Sequence, residues 1–322
     1  MFLDLVMVAG GLTVLLLGAW QVVRSAVAIA LAFGLSRVVV GATVVAFGTS
    51  APEFVISLAA GVEDSSGLAV GNVIGSNVAN VALVLGAAAL FSPMFVSPRL
   101  LRWEIPVLLA ATAVVLLAGA DGTIARWEGG LIFGVGLIGF IVASILIVPE
   151  SSALAAEVDE QPEEAPARDA RALWIMGGIL LAGLVGLAVG AAVAVEGATG
   201  IAERIGMSEL AIGVTIVAVG TSLPEIATTL VAATRREHDI AVANAVGSNI
   251  FNLLGVLGGT ALVTPLAVDR SLYQFEMVAL ALSSLVLVPI VMFHTRSLVD
   301  RREGAVLLAS YIAFLFLIVE RG

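Results

Sequence analysis

Residues 41–86 read GATVVAFGTSAPEFVISLAAGVEDSSGLAVGNVIGSNVANVALVLG, and residues 213–258 read GVTIVAVGTSLPEIATTLVAATRREHDIAVANAVGSNIFNLLGVLG. The two stretches align without a gap at an offset of 172, with about 21 of 46 positions identical. The same offset pairs Gly11 with Gly183, Gly18 with Gly190 and Ser36 with Ser208, so the duplication reaches back into the preceding segment. Chance does not produce such a match. The chain reads as two copies of one unit.

The material around the repeats places it in a membrane. Of 322 residues, 60% are hydrophobic and 12% charged, with a mean hydropathy of +1.11. A soluble domain would carry about a quarter charged residues. Stretches such as Leu3–Ala32, Ala69–Phe91 and Val278–Phe293 are long enough, or nearly so, to cross a hydrocarbon core of about 30 Å. No period-two alternation is present, which points to helices and away from a barrel. The expectation is an all-α polytopic membrane protein. Its ten transmembrane helices cover roughly 3–33, 37–60, 68–91, 103–120, 127–149, 172–200, 208–233, 240–263, 272–293 and 303–320. Residues 1–149 form a first five-helix repeat and 172–322 a second. An odd number of spans per unit sets the second copy upside down, giving two inverted repeats of the kind that alternate access to a midplane site.

Residues 150–171, ESSALAAEVDEQPEEAPARDAR, have no apolar face and read as a solvated acidic linker. Arg placement orients the chain. Loops after odd-numbered segments hold ten Arg, including Arg37, Arg99, Arg235 and Arg301, against Arg126, Arg204, Arg270 and Arg321 elsewhere. The odd loops and the linker are expected in the cytoplasm and both termini outside. The first segment lacks a basic flank and reads as a retained helix. Absence of Cys excludes disulfides and thiolate chemistry, and His238 and His294 fall in expected loops. Nothing points to nucleic acid or an obligate protein partner. The expected partners are the bilayer and small cations.

Glu53 and Glu225 occupy equivalent positions near the middle of their segments. An ionised carboxylate there costs several kcal/mol unless a cation, a proton or strong donors compensate it. No Arg lies in the apolar parts of the repeats. Two carboxylates meeting near a pseudo-two-fold axis suit one divalent or two monovalent cations, so both are candidate metal ligands. Pro52 and Pro224 each remove an amide donor and are expected to loosen the helix at Gly48 and Gly220, freeing carbonyls near Ala46 and Ala218. With Thr49, Ser50, Thr221 and Ser222 these supply hard oxygen ligands, the type preferred by Ca2+ and Na+. Ser76 and Asn80 lie four apart on one helical face, as do Ser248 and Asn252. Glu104, Glu128 and Glu276 lie near helix ends, where water is expected to reach them.

The paired GTSxPE and GSNxxN blocks resemble those of the cation/Ca2+ exchanger superfamily, in its sodium/calcium exchanger branch, and the likeness is that of a prokaryotic member. The resemblance covers nearly the whole chain. It implies a central cation site formed by Thr49, Ser50, Glu53, Ser76, Asn80 and the Ala46 carbonyl, with Thr221, Ser222, Glu225, Ser248, Asn252 and the Ala218 carbonyl. It also implies a secondary antiporter of the plasma membrane that exports Ca2+ in exchange for Na+ by alternating access, with no cofactor and no enzymatic step. Well-studied members often carry Asp where this chain has Asn252, so the site here holds two carboxylates. That leaves Ca2+/H+ or K+-dependent exchange as alternatives. A cation channel fits less well, because no filter-like loop is present.

Overall fold

The computed structural model describes residues 1–146, 170–207, 216, 218–292 and 298–321. Most of the expected linker, His294 and the start of the expected seventh segment lie outside the described residues. The helices, in chain order, are α1 (Phe2–Phe33), α2 (Arg37–Thr49), α3 (Ala51–Val62), α4 (Ser66–Phe91), α5 (Leu100–Asp121) and α6 (Arg126–Leu146). They continue with α7 (Ala170–Arg204), α8 (Ala218–Thr221), α9 (Leu223–Thr234), α10 (His238–Val263), α11 (Arg270–Met292) and α12 (Arg301–Arg321). Among the described residues seven of these are long and apolar enough to cross a membrane: α1, α4, α5, α6, α7, α10 and α11. The pair α2 and α3, bent by 47° at Ser50, makes an eighth. The chain is an all-α polytopic membrane protein.

Polarity decides which helices sit inside. α4 and α10 carry the Asn and Ser side chains of the repeats, and hydrocarbon offers such groups no partners. Every residue from Ile240 to Ala261 is buried, and most of α4 is too. α1 and α7 are apolar through most of their length and turn Leu16, Leu17, Leu181 and Val185 outward. They pack on each other through a glycine seam. A Cβ added at Gly11 would lie 2.5 Å from the Ala194 amide nitrogen, and one at Gly18 2.8 Å from the Gly183 carbonyl oxygen. Gly197 meets Asp4 further along, so the two helices run antiparallel.

Contacts between equivalent positions mark where the halves meet. Asn249 Nδ2 donates to the Asn77 carbonyl at 3.1 Å, and the Thr112 and Ser284 hydroxyls are 3.0 Å apart. Both pairs are separated by the repeat offset of 172. Asp64 and Arg236, also equivalent, share a left-handed backbone with φ of 57° and 62°. The turn is kept although the loop sequences differ.

Loops pair at both ends. β1 (Met94–Phe95) and β4 (Leu298–Val299) form one antiparallel two-residue ladder, and β2 (Thr123–Ile124) and β3 (Leu266–Ala267) another. Arg37 bridges to Glu237 at 3.1 Å, and Phe95 packs edge-on against His238 at 5.9 Å. These lie at the end of α10 where it starts; β3 follows its other end.

The acidic residues outside the repeats correct one expectation. Glu104 is fully buried, and water does not reach it. It accepts from Arg99 Nε at 3.2 Å, while Arg99 Nη2 donates to the Ser144 carbonyl at 2.6 Å. The Arg stem folds back along α5 and carries its charge inward. Glu128 caps its helix by accepting from the Ala125 amide at 2.8 Å.

Candidate functional site

The bend between α2 and α3 falls at Ser50, two residues beyond the expected Gly48. Ser50 has φ −87° and ψ 8°, and Ser222 at the equivalent break has φ −88° and ψ 4°. Pro explains the offset. Pro52 and Pro224 sit in the first turn of the new helices, where an amide donor is missing anyway. The expected release of the Ala46 carbonyl is also corrected. It still accepts from the Ser50 amide at 3.0 Å and from the Thr49 hydroxyl at 3.3 Å. A lone pair is left for another partner only when the Thr49 hydroxyl turns its proton to a different acceptor. At the other break the Ser222 amide donates to Val219, 3.2 Å away. The side chain of Ala218 is outside the described residues.

Each break brings a Thr, a Ser and a Glu onto one short stretch. Thr49, Ser50, Glu53, Ser222 and Glu225 are buried to 1% exposure or less, and Thr221 is half-buried. The two halves touch directly. Ser50 Oγ donates to Glu225 Oε1 at 3.0 Å, and the Thr49 hydroxyl lies 3.3 Å from Ser248 Oγ. Ten of the twelve expected residues are buried; Thr221 is half-buried, and the side chain of Ala218 is not among those described.

Several polar atoms there have no hydrogen-bond partner among the described residues. They are Oε2 of Glu53 and of Glu225, both polar atoms of Asn80 and of Asn252, and Ser222 Oγ. Buried polar atoms are almost always satisfied, so this concentration needs an explanation. Ion pairs found among the described residues join the Met1 amino group and Arg204 to Asp4, Arg37 to Glu237 and Arg99 to Glu104. None neutralises Glu53 or Glu225. No three His, Cys, Asp or Glu converge among the described residues.

The helices around this centre gain an extra residue per turn at the same place in both copies. π-helical turns span Asn80–Leu85 and Asn252–Leu257, each opening on the expected Asn. Such bulges re-aim a side chain and cluster at functional sites.

Sequence reasoning missed Asn72 and Asn244. Asn72 Nδ2 donates to the Ser57 hydroxyl at 2.8 Å and to the Glu53 carbonyl at 3.2 Å. Asn244 accepts from the Thr49 hydroxyl at 3.3 Å and donates to Thr229 at 3.1 Å. A signal was present. Asn72, Ser76 and Asn80 repeat every four residues, as do Asn244, Ser248 and Asn252, which makes one polar stripe per helix.

The family model for the sodium/calcium exchanger protein matches residues 3–148 and 175–319. A putative antiporter of Alkalimonas amylolytica, CaxA, is 35% identical over 328 residues and covers 99% of both chains. A sodium/calcium exchanger of Methanosarcina acetivorans is 31% identical over 347 residues, covering 95% of each. A solved structure of the sodium-calcium exchanger NCX_Mj superposes with a TM-score of 0.81 at 31% identity over 97% of both chains. With the family model covering nearly the whole chain, and the buried oxygen-lined centre lying inside both matched stretches, this chain belongs to the sodium/calcium exchanger protein family.

Proposed function

We propose that this chain is a secondary antiporter that exports Ca2+ in exchange for Na+ across the plasma membrane. Ca2+ and Na+ compete for one buried site by alternating access. The observation that carries the reading is the unbalanced pair Glu53 and Glu225, linked across the halves through Ser50 and surrounded by unpartnered oxygens. Formal charge at the centre is −2, because Asn80 and Asn252 do not titrate. One Ca2+ balances it. The residues that hold the ions are Glu53, Glu225, Thr49, Ser50, Thr221, Ser222, Ser76, Ser248, Asn80 and Asn252, with the carbonyls of Ala46 and Ala218. No cofactor or covalent step enters.

The architecture belongs to the same proposal: ten transmembrane helices in two inverted repeats, 1–149 and 172–322, joined by a cytoplasmic linker at 150–171. Antiparallel packing of α1 on α7 supports it, as do the hydrogen bonds between positions 172 apart. An inverted repeat lets one half rock against the other around a fixed centre.

Two measurements test these statements. In proteoliposomes, an outward Na+ gradient is expected to drive uptake of radiolabelled Ca2+, and collapsing that gradient to stop it. Uptake that follows a K+ or pH gradient alone would select the alternative exchange reactions, and non-saturating flux without any counter-ion would indicate a channel. The chain has no Cys, so single cysteines report topology cleanly. A cysteine at Ser66 is expected to react with a membrane-impermeant maleimide from outside intact cells, and one at Arg236 only after permeabilisation. The reverse pattern overturns the orientation.

A further inference from the structure

We infer that Asn244 is a positioning residue of the cation site: it holds the Thr49 hydroxyl proton away from the ion, so that a Thr49 lone pair faces it. The inference rests on the proposed site and adds a residue to it. A hydroxyl has one proton and two lone pairs. To ligate a cation it must point a lone pair at the ion and give its proton to an acceptor that is not itself a ligand.

Thr49 Oγ1 has four neighbours that could take this proton: the Ala46 carbonyl, Ser248 Oγ and Asn244 Oδ1, each at 3.3 Å, and the Glu225 carboxylate. Three of these, Ala46, Ser248 and Glu225, are proposed ligands. Once an ion engages them their lone pairs are committed to it. Asn244 Oδ1 is the acceptor that remains.

The amide of Asn244 is locked in the orientation this task needs. Its Nδ2 donates to Thr229 Oγ1 at 3.1 Å, one turn beyond Glu225 on α9. Turning the amide over would face Nδ2 to Thr49 and leave that hydroxyl proton without the acceptor. Asn244 is fully buried, so water does not take its place. The arrangement ties a ligand of the first half, Thr49, to the helix that carries Glu225 in the second. Asn72 plays an equivalent structural part on α4: its Nδ2 donates to Ser57, which matches Thr229 at the offset of 172, and to the carbonyl of Glu53.

The inference separates from simple packing by its dependence on the Thr49 hydroxyl. Residues behind metal ligands change affinity by about 10–100-fold when removed. Replacement of Asn244 by Ala is expected to weaken Ca2+ and Na+ binding, measured by calorimetry on the purified full-length protein, by about tenfold or more. T49V removes the hydroxyl and is expected to weaken binding as well. In the double variant N244A/T49V the losses should not add, because Asn244 acts only through the group already gone. Thr229→Val, which keeps the side-chain shape and frees the amide to turn, is expected to show a smaller loss in the same direction and remains informative if N244A does not fold. Additive losses in the double variant overturn the inference, as does unchanged affinity in N244A or T229V. Failure of the wild-type protein to bind either cation, or full binding by E225Q, would instead overturn the site on which it rests.

Discussion

Glu225→Gln is expected to abolish Na+-dependent Ca2+ flux while leaving the protein folded, and Glu53→Gln to do the same. The argument starts from charge. Glu53 and Glu225 are both buried, and no ion pair found among the described residues offsets either of them; in the proposed site they face one ion. A Ca2+ ion at about 2.4 Å from a carboxylate oxygen gains roughly 14 kcal/mol from each unit charge at an effective dielectric constant of about 20, before desolvation takes back most of it. Halving the site charge removes one of the two attractions. A drop in Ca2+ affinity of about a hundredfold or more, close to 3 kcal/mol, is a conservative expectation. Gln keeps the shape and an acceptor oxygen for the Ser50 hydroxyl, so the cross-half contact at 3.0 Å can persist. Without ions the variants should melt no lower than the wild-type protein, because a buried uncompensated charge has been removed. Thermal melting and flux in proteoliposomes, with and without Ca2+, check both halves of the statement. Full flux in either variant would rule out Glu53 and Glu225 as the centre.

Gly247→Val is expected to cost nearly as much, for a steric reason. A Cβ at Gly247 would lie 2.4 Å from Ala42 Cα and 2.5 Å from the Ala42 carbonyl oxygen. Both are backbone atoms, so no side chain can swing aside. α10 would have to back away from α2 by an ångström or more. Overpacking a core costs about 1–3 kcal/mol and occasionally more. A backbone clash between two buried positions, Ala42 and Gly247, belongs at the upper end. The shift also strikes the site, because Ser248 is the next residue and its Oγ lies 3.3 Å from the Thr49 hydroxyl. The variant should melt well below the wild-type protein, with transport reduced at least tenfold even in the fraction that folds. Wild-type melting and flux would mean that α2 and α10 do not approach so closely in the membrane. Gly67, where an added Cβ meets nothing within 4 Å, is the control position, and its change to Ala should be tolerated.

Much of this centre was legible from the chain alone. The GTSxPE blocks pointed to the carboxylates and hydroxyls, and Thr49, Ser50, Glu53, Ser222 and Glu225 are all buried, with Ser50 meeting Glu225 across the halves. Their meaning could be read because a buried carboxylate is expensive and a gapless duplication keeps it in register. Other features were not legible. The joint at Ser50 depends on where the chain can spare an amide donor once Pro52 is in the first turn of a new helix. Glu104 reads as a helix-end residue near water, but Arg99 five positions before it folds back into the protein to meet it. Pattern reading treats a charged residue at a helix end as solvated and has no term for an Arg that buries itself with its partner.

The sequence by itself determined that the protein is duplicated, that it lies in a membrane, and which polar residues its interior has to accommodate. Repetition, hydropathy and the cost of an unpaired charge in hydrocarbon are properties of residue type and spacing, so they are visible without coordinates. Only the tertiary structure decided which hydroxyl faces which carboxylate. The two Ser are equivalent in sequence, yet Ser50 donates to Glu225 while Ser222 Oγ finds no partner among the described residues. A hydroxyl has one proton and must choose one acceptor, and that choice rests on tenths of an ångström between helices packed from opposite halves of the chain. The placement of Asn244 behind Thr49 is of the same kind: 195 residues separate them, and only packing brings them to 3.3 Å.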